Sequence, residues 1–283
     1  MSIRIITDSA CDITQAEARE LNLTVIPLKT IFGEQEYLDG VTLDHQSFYH
    51  KLIESDVLPT TSQIAPYEYE SYFREAAECG DEVLCITLSS SLSGCYQSAC
   101  IAAEDCGSNV VVLDSRNVAI GQRILIQLAC RLRDKGKSVS EISEILNEQK
   151  RHIRLIALLD TLEYLKKGGR VSSAAALAGS LLSIKPVIAI EEGEVAILGK
   201  ARGSKNGNNM LMKLVEQSGG INFNLPFALA YTGLEDTLLQ KYITDSAALY
   251  EGKTDRLPVY PIGSAIGTHA GPGAIAVAFF SNQ

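Results

Sequence analysis

The sequence lacks the features of a membrane-spanning or secreted protein. None of its apolar runs approaches the roughly 18 uninterrupted residues that a membrane-spanning helix needs. The N-terminus enters an apolar run directly, without the basic and apolar regions of a secretory signal. No internal repeat and no low-complexity linker is present. These absences predict a cytoplasmic protein without stable membrane insertion.

Seven cysteines are present, but their arrangement excludes the common cysteine-based sites. Their number is odd, no C-x-x-C spacing occurs, and several of them lie within apolar segments. This pattern is typical of reduced, buried thiols and not of a disulfide framework or a zinc site. Asp8, Asp12, Asp114 and Asp160 follow predicted strands, but no cluster has the spacing of metal ligands. We therefore expect neither a metal nor a cofactor.

Basic residues are outnumbered overall but concentrated in one segment. The formal net charge of −9 argues against a general nucleic-acid-binding protein, and we expect no nucleic-acid partner. Residues 150–213 nevertheless hold eleven Lys or Arg and five Asp or Glu, a local charge of +6 in a chain whose remainder carries −15. This segment indicates an anionic ligand or an acidic partner surface, although a solvated basic face gives the same pattern.

Short apolar runs rich in β-branched residues alternate with helical patterns over the first part of the chain. The runs IRIITD, EVLCIT, NVVVLD and IRLIAL are each followed by hydroxyl or acidic residues. Such an alternation predicts a mainly parallel, Rossmann-like sheet covered by helices on both faces. Residues 23–58 break the alternation and predict a hairpin insertion.

The pattern changes after residue 161. A helix of small residues is followed by two strands joined at the turn EEGE, and then by two helices that alternate with apolar strands. This part predicts a second α/β unit with a mixed sheet. We therefore predict an α/β protein of two directly packed domains, residues 1–160 and 161–283. No segment has the pattern of a dimer interface, so we expect a monomer.

The stretch LSSSLSG, residues 88–94, places four serines between a predicted strand and a predicted helix. Ligands of open α/β sheets bind outside the carboxyl ends of the strands, and a helix that begins near Gly94 would direct free N–H groups there. The stretch therefore suits an oxyanion, although one serine is expected to serve only as a helix N-cap. The spacing excludes the common phosphate loops, and neither Ser91 nor Ser93 lies in the nucleophile pattern G-x-S-x-G.

Three other stretches carry candidate site residues. Residues 263–274, GSAIGTHAGPGA, place His269 in a glycine-dense loop, as a general base for a serine or a donor to a carboxylate. Residues 60–62 are hydroxyl side chains before a predicted helix, where ordinary N-caps also occur. Arg170 follows two glycines and is either an anion donor or a helix-capping arginine.

Two further hypotheses remain open from the residues alone. In a serine-dependent lipid or ester hydrolase, Ser93 would be the nucleophile and His269 the base, oriented by Asp8 or Asp114. In a regulatory protein, the basic residues 150–213 would form the interaction surface.

Five stretches, taken together, resemble the DegV family of bacterial fatty-acid-binding proteins. ITDSACDI, TTSQ, LSSSLSGCYQSA and GTHAGPGA occur in the order that the family has. The longest and most diagnostic stretch is LEYLKKGGRVSSAAALAGSLLSIKPVI. The resemblance implies two α/β domains that enclose one long-chain fatty acid in a buried tunnel between strand ends. It also implies that the chain is not itself an enzyme. The ligand-binding residues that it implies are Thr61, Ser62, Ser93, Gly94, Arg170 and His269, with the carboxylate held by the hydroxyls of Thr61 and Ser93.

The resemblance also implies a protein partner. Members of the family present the fatty acid to a separate fatty acid kinase, related to dihydroxyacetone kinases, which forms acyl phosphate from ATP. Arg202, between Lys200 and Lys205, matches the position linked to kinase docking. The chain departs from the family pattern at several positions: Ile64 replaces a proline, Cys95 replaces a threonine, and Asn206, Gly207 and Asn208 stand where lysines are expected.

Overall fold

The structure is a computed structural model that describes residues 2–106, 109–171 and 184–282. Its strands are β1 (Ile3–Asp8), β2 (Leu23–Ile26), β3 (Lys29–Phe32), β4 (Gln35–Leu38), β5 (Thr60–Ser62), β6 (Glu82–Thr87), β7 (Val110–Asp114), β8 (Ile153–Leu158), β9 (Ile184–Glu191), β10 (Glu194–Arg202), β11 (Phe227–Tyr231), β12 (Val259–Pro261) and β13 (Ile275–Phe280). Its α-helices are α1 (Gln15–Glu20), α2 (His45–Glu54), α3 (Pro66–Glu78), α4 (Cys95–Cys106), α5 (Ala119–Asp134), α6 (Val139–Gln149), α7 (Glu163–Lys167), α8 (Gly203–Gln217), α9 (Thr237–Asp245) and α10 (Ser264–Ala270).

Four parallel strands form the first sheet, in the order β2-β1-β6-β7. The core strands β1 and β6 are buried along most of their length, because α3 and α4 pack on one face and α5 and α6 on the other. The predicted parallel, Rossmann-like sheet is confirmed. Helix α6 begins with a capping box, in which Ser138 is the N-cap and Glu141 the second member.

Six strands form the second sheet, in the order β10-β9-β8-β13-β11-β12. Only β11 and β12 pair in parallel, so the predicted mixed sheet is confirmed. β8 ends before residue 160 yet belongs to this sheet, and the domain boundary placed at 160 stays a prediction. The predicted helix of small residues falls mainly on residues 172–183, outside the described part of the chain.

A small antiparallel sheet, in the order β4-β3-β5, lies apart from the other two. The hairpin expected within residues 23–58 is the pair β3 and β4. Residues 60–62 form β5 and pair with β3, so the alternative that they are an ordinary N-cap turn is wrong. The N-cap of α3 is Ala65, followed by Pro66, whose fixed φ suits the first turn of a helix.

Helix α5 joins the two large sheets into one core. It is buried over most of its circumference and contacts β1 on one side and β8, β11 and β13 on the other. Two buried polar side chains of α5 form hydrogen bonds with the N-terminal part of the chain. Gln122 donates to Asp8 Oδ1 at 3.2 Å, and Arg123 donates to the carbonyl of Asp12 at 2.6 Å. The Arg123 guanidinium also lies 3.4 Å from the ring centroid of Tyr260 in β12. No helix among residues 2–106, 109–171 and 184–282 is long and apolar enough to span a membrane.

Candidate functional site

A cavity of about 280 Å³ lies between the carboxyl ends of the parallel strands and the second sheet. Its wall is mostly aliphatic, and the strands β8 and β9 contribute Leu155, Ala157, Ile188 and Ile190. All six residues that the sequence predicts for the binding site line this cavity. The structure therefore brings the predicted residues together, although they come from segments far apart in the chain. The polar residues among them are Thr61, Ser62, Ser93, Arg170 and His269.

Thr61 and His269 form a hydrogen-bonded pair in the cavity wall. Oγ1 of Thr61 lies 2.9 Å from Nε2 of His269. The threonine is fixed by β5, where it pairs with Thr30 of β3. The histidine is fixed by α10, whose first residue Ser264 has its hydroxyl 2.8 Å from that of Thr30. A single small sheet thus sets the distance between the two functional side chains.

The imidazole of His269 is neutral at physiological pH. Burial, together with the positive charge of Arg170, lowers the pKa of His269 from 6.5 to about 4. Its Nδ1 is buried and has no partner among the described residues. An unpaired lone pair is less costly than an unpaired buried N–H, so we infer that the proton is on Nε2. Nε2–H then donates to Thr61 and leaves the threonine hydroxyl hydrogen free to bind an acceptor in the cavity.

Gly168 and Arg170 hold the other side of the histidine. A Cβ atom at Gly168 would lie 2.2 Å from Nδ1 of His269, so only glycine permits this approach. Arg170 donates from Nη1 to the Gly168 carbonyl at 2.6 Å and from Nε to the Leu92 carbonyl at 3.2 Å. Arg170 therefore connects the part of the cavity wall that holds His269 to the serine-rich residues 88–94. Gly168 belongs to the Gly-Gly pair before Arg170, and that pair was the only signal of its role in the sequence.

The four serines of residues 88–94 have separate structural tasks. Ser89 is buried and donates to the carbonyl of Gly193 at 2.7 Å, in the turn between β9 and β10. Ser90 donates to Asp114 Oδ2 at 2.6 Å. Ser91 is exposed and its hydroxyl has no hydrogen bond among the described residues. Of the four, only Ser93 lines the cavity. This placement is consistent with the sequence prediction that one serine contacts the ligand.

Ser93 also organises the start of α4. Its Oγ accepts a long hydrogen bond of 3.4 Å from the N–H of Cys95 and donates to Cys95 Sγ at 3.3 Å. The thiol in turn accepts from the N–H of Ile64 at 3.5 Å. Sulfur is a weak acceptor, so the Ser93 hydroxyl can exchange this contact for a stronger one with a carboxylate. Gly94 packs against Gln63, whose Oε1 would be 1.9 Å from a Cβ at that position.

Two buried carboxylates position helix α10, a role that the sequence analysis did not predict for either of them. Asp39 accepts from the N–H of Ser264 at 2.8 Å and from its hydroxyl at 2.7 Å. Asp12 accepts from the N–H of Gly263 at 2.7 Å. Burial raises the pKa of both acids above the ordinary value of 3.8. Asp12 follows a predicted strand and was noted for that reason, whereas no local pattern marks Asp39 as its neighbour.

The geometry does not support the hydrolase hypothesis. Thr61, and not Ser93, bonds to the histidine. Asp8 accepts from the backbone of Leu88 and from Gln122, and Asp114 accepts from Ser90, so neither acid orients His269. Within residues 2–106, 109–171 and 184–282, no group of three or more His, Cys, Asp or Glu side chains could hold a metal ion.

The residues predicted to dock a partner lie on the surface. Lys200, Arg202 and Lys205 are exposed. Arg202 pairs with Ile184 across β9 and β10, at the end of the sheet where Lys185 binds Asp160 at 2.6 Å.

The residues that replace lysines at the start of α8 have structural roles. Asn206 donates to the Arg202 carbonyl at 2.8 Å, and buried Asn208 donates to Asp245 at 2.9 Å. A Cβ at Gly207 would lie 2.5 Å from Leu158.

The cavity is apolar, has neutral hydrogen-bond donors at one end, and is enclosed by a parallel and a mixed sheet. These features define an α/β protein with an internal ligand site. The DegV family model, described as that of an uncharacterised protein, matches residues 2–282. A DegV domain-containing protein of Clostridium perfringens is 33% identical over 276 residues, which are 97% of each chain. The chain therefore belongs to the DegV family, as its sequence motifs predicted.

Two solved structures have the same fold. A DegV family protein of Thermus thermophilus, described by its fatty acid binding, superimposes with a TM-score of 0.89 at 29% identity and covers 99% of this chain and 100% of its own. A stearic-acid-binding protein of Eubacterium ventriosum gives a TM-score of 0.86 at 26% identity and covers 98% and 97% of the two chains. These relatives bind fatty acids within the fold that this chain shares.

Proposed function

We propose that this chain binds one long-chain fatty acid, with the hydrocarbon tail in the cavity and the carboxylate at Thr61 and Ser93. The observation that carries the proposal is the Thr61–His269 pair in the wall of an otherwise aliphatic cavity. The fatty acids bound by the relatives of the same fold support it. Ser62, Gly94 and Arg170 form the surroundings of the carboxylate in this proposal.

The affinity comes from the tail. Burial contributes about 0.8 kcal/mol per methylene, so a tail of about 16 carbons supplies on the order of 10 kcal/mol before the costs of ordering. The polar end has a different task, because a buried carboxylate without hydrogen bonds is strongly unfavourable. Two hydroxyl donors meet this need. The guanidinium of Arg170 is held by two carbonyls, so the carboxylate is not locked in an ion pair.

We further propose that the bound carboxylate is presented to a separate fatty acid kinase of the dihydroxyacetone-kinase type. In that step a carboxylate oxygen forms a bond to the γ-phosphorus of ATP, the bond to the β,γ-bridging oxygen breaks, and ADP leaves. Arg202, Lys200 and Lys205 form the docking surface in this proposal, and their exposure supports it. Seven unpaired thiols favour a reducing, cytoplasmic setting. The monomeric state remains part of the same prediction.

The ligand is tested by extraction of the intact protein. Protein purified without detergent from a heterologous host is extracted with solvent, and the extract is quantified by mass spectrometry. We expect close to one equivalent of long-chain fatty acid in the wild type and much less in a Thr61→Val/Ser93→Ala double variant. Recovery of no stoichiometric lipid from the folded wild-type protein contradicts the proposal.

The partner is tested with the lipid-loaded protein, a purified kinase of this type and ATP. Acyl phosphate is trapped with hydroxylamine. We expect Arg202→Glu to reduce product formation while fatty acid content stays unchanged, with Lys241→Glu as a control for an exposed lysine in α9. Product formation that is equal in both variants contradicts a docking role for Arg202.

A further inference from the structure

A second cavity, of about 540 Å³, lies outside the fatty-acid site. It is formed by the beginning of β8, the end of β9, the β9–β10 turn and the end of α8. Leu155 and Ile190 belong to the walls of both cavities, so the two lie on either side of the same pair of strands. The proposed function leaves this cavity unused.

The second cavity is lined by four cationic side chains, Arg116, Lys150, Arg151 and Arg154. Only Arg116 has an ion-pair partner within the described residues, at 2.7 Å from Glu192, which also lines the cavity. Glu191 is the other acid in the lining, and it is exposed at the strand end. The cavity therefore has a net positive charge.

The hydrogen bonds of the remaining cations go to backbone carbonyls. Lys150 donates to the Asp114 carbonyl at 2.9 Å, and Arg154 donates to the carbonyls of Arg151 and Ile153 at 2.7 and 3.1 Å. Arg151 is exposed and has no side-chain hydrogen bond among the described residues. These contacts hold Lys150 and Arg154 in place without neutralising their charge.

Like charges in a concave site repel one another unless an anion is bound. Burial lowers the pKa of Lys150, and the neighbouring charges of Arg116 and Arg151 lower it further, while Asp114 raises it. An anion with more than one negative charge would relieve this repulsion. Arginine forks match the oxygens of phosphate and can bind them in pairs.

The rest of the wall is apolar. Ile153, Ile156, Leu198 and Leu214 line the cavity beside the cations, and its volume lies within the range of small-molecule sites. We propose that this cavity binds a phosphate monoester with an apolar body, with the dianionic phosphate at Lys150, Arg151 and Arg154. The apolar body lies against Leu198 and Leu214.

Isothermal titration of the full chain with three probes tests the site. Phenyl phosphate carries both the dianion and an apolar ring, inorganic phosphate lacks the ring, and benzoate is a monoanion with the same ring. We expect saturable binding of phenyl phosphate, weaker binding of inorganic phosphate, and still weaker binding of benzoate. No saturable binding of phenyl phosphate, or binding of benzoate that is equally tight, overturns the proposal.

Variants of the lining residues test whether phenyl phosphate binds in this cavity. Arg151→Gln/Arg154→Gln is expected to weaken phenyl phosphate binding by about tenfold or more, because two charge-assisted contacts are lost. Lys241→Gln in α9 is the matched control and is expected to leave affinity unchanged. The fatty acid content of each variant verifies that the shared wall remains folded. If the double variant does not fold, Arg151→Glu alone replaces it, since this side chain is exposed and makes no hydrogen bond or ion pair within the described part of the chain. Equal affinity in the site variant and the control overturns the proposal.

One further arm separates the two sources of such a phosphate. Vesicles of phosphatidylcholine with and without phosphatidic acid, whose headgroup is a phosphate monoester, are sedimented with the protein. Binding that requires phosphatidic acid and is lost in Arg151→Gln/Arg154→Gln assigns the site to a lipid headgroup. If phenyl phosphate binds in solution but the protein does not sediment with the phosphatidic acid vesicles, the site is assigned to a soluble ester. Both outcomes support the proposed chemistry.

Discussion

The hydroxyl of Thr61 lies 2.9 Å from Nε2 of His269, which follows it by 208 positions in the chain. Thr61 is held by β5 and His269 by α10, and both elements are tied to Thr30 of β3. The contact is therefore a product of the small antiparallel sheet, and it defines the polar end of the cavity.

Loss of the Thr61 hydroxyl is expected to weaken fatty acid binding while the shape of the wall is kept. Thr61→Val removes one donor to the carboxylate and leaves His269 Nε2 without its partner, at a cost of about 1–3 kcal/mol in binding free energy. Thr61→Ser keeps the hydroxyl and is the control. Affinity for a fluorescent fatty acid, measured by titration of delipidated protein, checks this. Equal affinity of wild type and Thr61→Val would place the carboxylate elsewhere.

Ser93 offers a comparison within a single loop. Ser93→Ala is expected to weaken binding by about 1–3 kcal/mol, because it removes the second donor in the cavity wall. Ser91→Ala changes the same kind of side chain two positions away, but this hydroxyl is exposed and makes no hydrogen bond among the described residues. The same titration measures both variants. A similar loss in the two variants would mean that the loop, and not the Ser93 hydroxyl, determines affinity.

Gly168→Ala tests whether the position of the imidazole matters. The added Cβ would lie 2.2 Å from Nδ1 of His269, so the ring must shift and its contact with Thr61 lengthens. We expect weaker fatty acid binding in the wild-type background and little further effect in a His269→Ala background, where the obstructing ring is absent. This non-additivity is measured with a double-mutant cycle. Equal effects in both backgrounds would show that Gly168 acts through the backbone instead.

The buried histidine predicts a specific pH dependence of stability. The pKa of His269 is about 4 in the folded protein and 6.5 in its ordinary state, so the unfolded chain binds more protons between these values. Through His269, the free energy of unfolding therefore decreases as the pH falls from about 6.5 to 4, and the decrease is on the order of 3 kcal/mol. Asp8 acts in the opposite sense, because burial raises its pKa from 3.8 to about 6.

The two effects separate when wild type and His269→Gln are compared without lipid. Asp8 is common to both proteins, so its contribution cancels in the difference between their free energies of unfolding. In urea unfolding experiments, we expect the stability of the wild type to fall relative to that of His269→Gln as the pH is lowered from 6.5 to 4. A difference that does not change with pH would mean that His269 titrates normally.

Local sequence pattern was sufficient for much of the fold. The apolar runs gave β1, β6 and β7 correctly because buried parallel strands need continuous apolar residues. The run IRLIAL also gave β8 correctly, because this strand is buried along most of its length although it pairs antiparallel with both neighbours. The pattern did not assign β8 to the second sheet, because strand partners are chosen by packing far along the chain. It also did not recognise residues 60–62 as a strand, since a short edge strand and an N-cap turn can have the same hydroxyl composition.

The sequence by itself determined the α/β class and the family, because both follow from residue types and their order along the chain. Through the family motifs it also named six residues that line the cavity. Only the tertiary structure decided that Thr61 is the partner of His269, and that Asp39 and Gly168 position the histidine. It alone gathered Arg116 with Lys150, Arg151 and Arg154 around a second cavity. These relationships depend on distances between segments that are remote in sequence, and such distances are set by the packing of the sheets around α5.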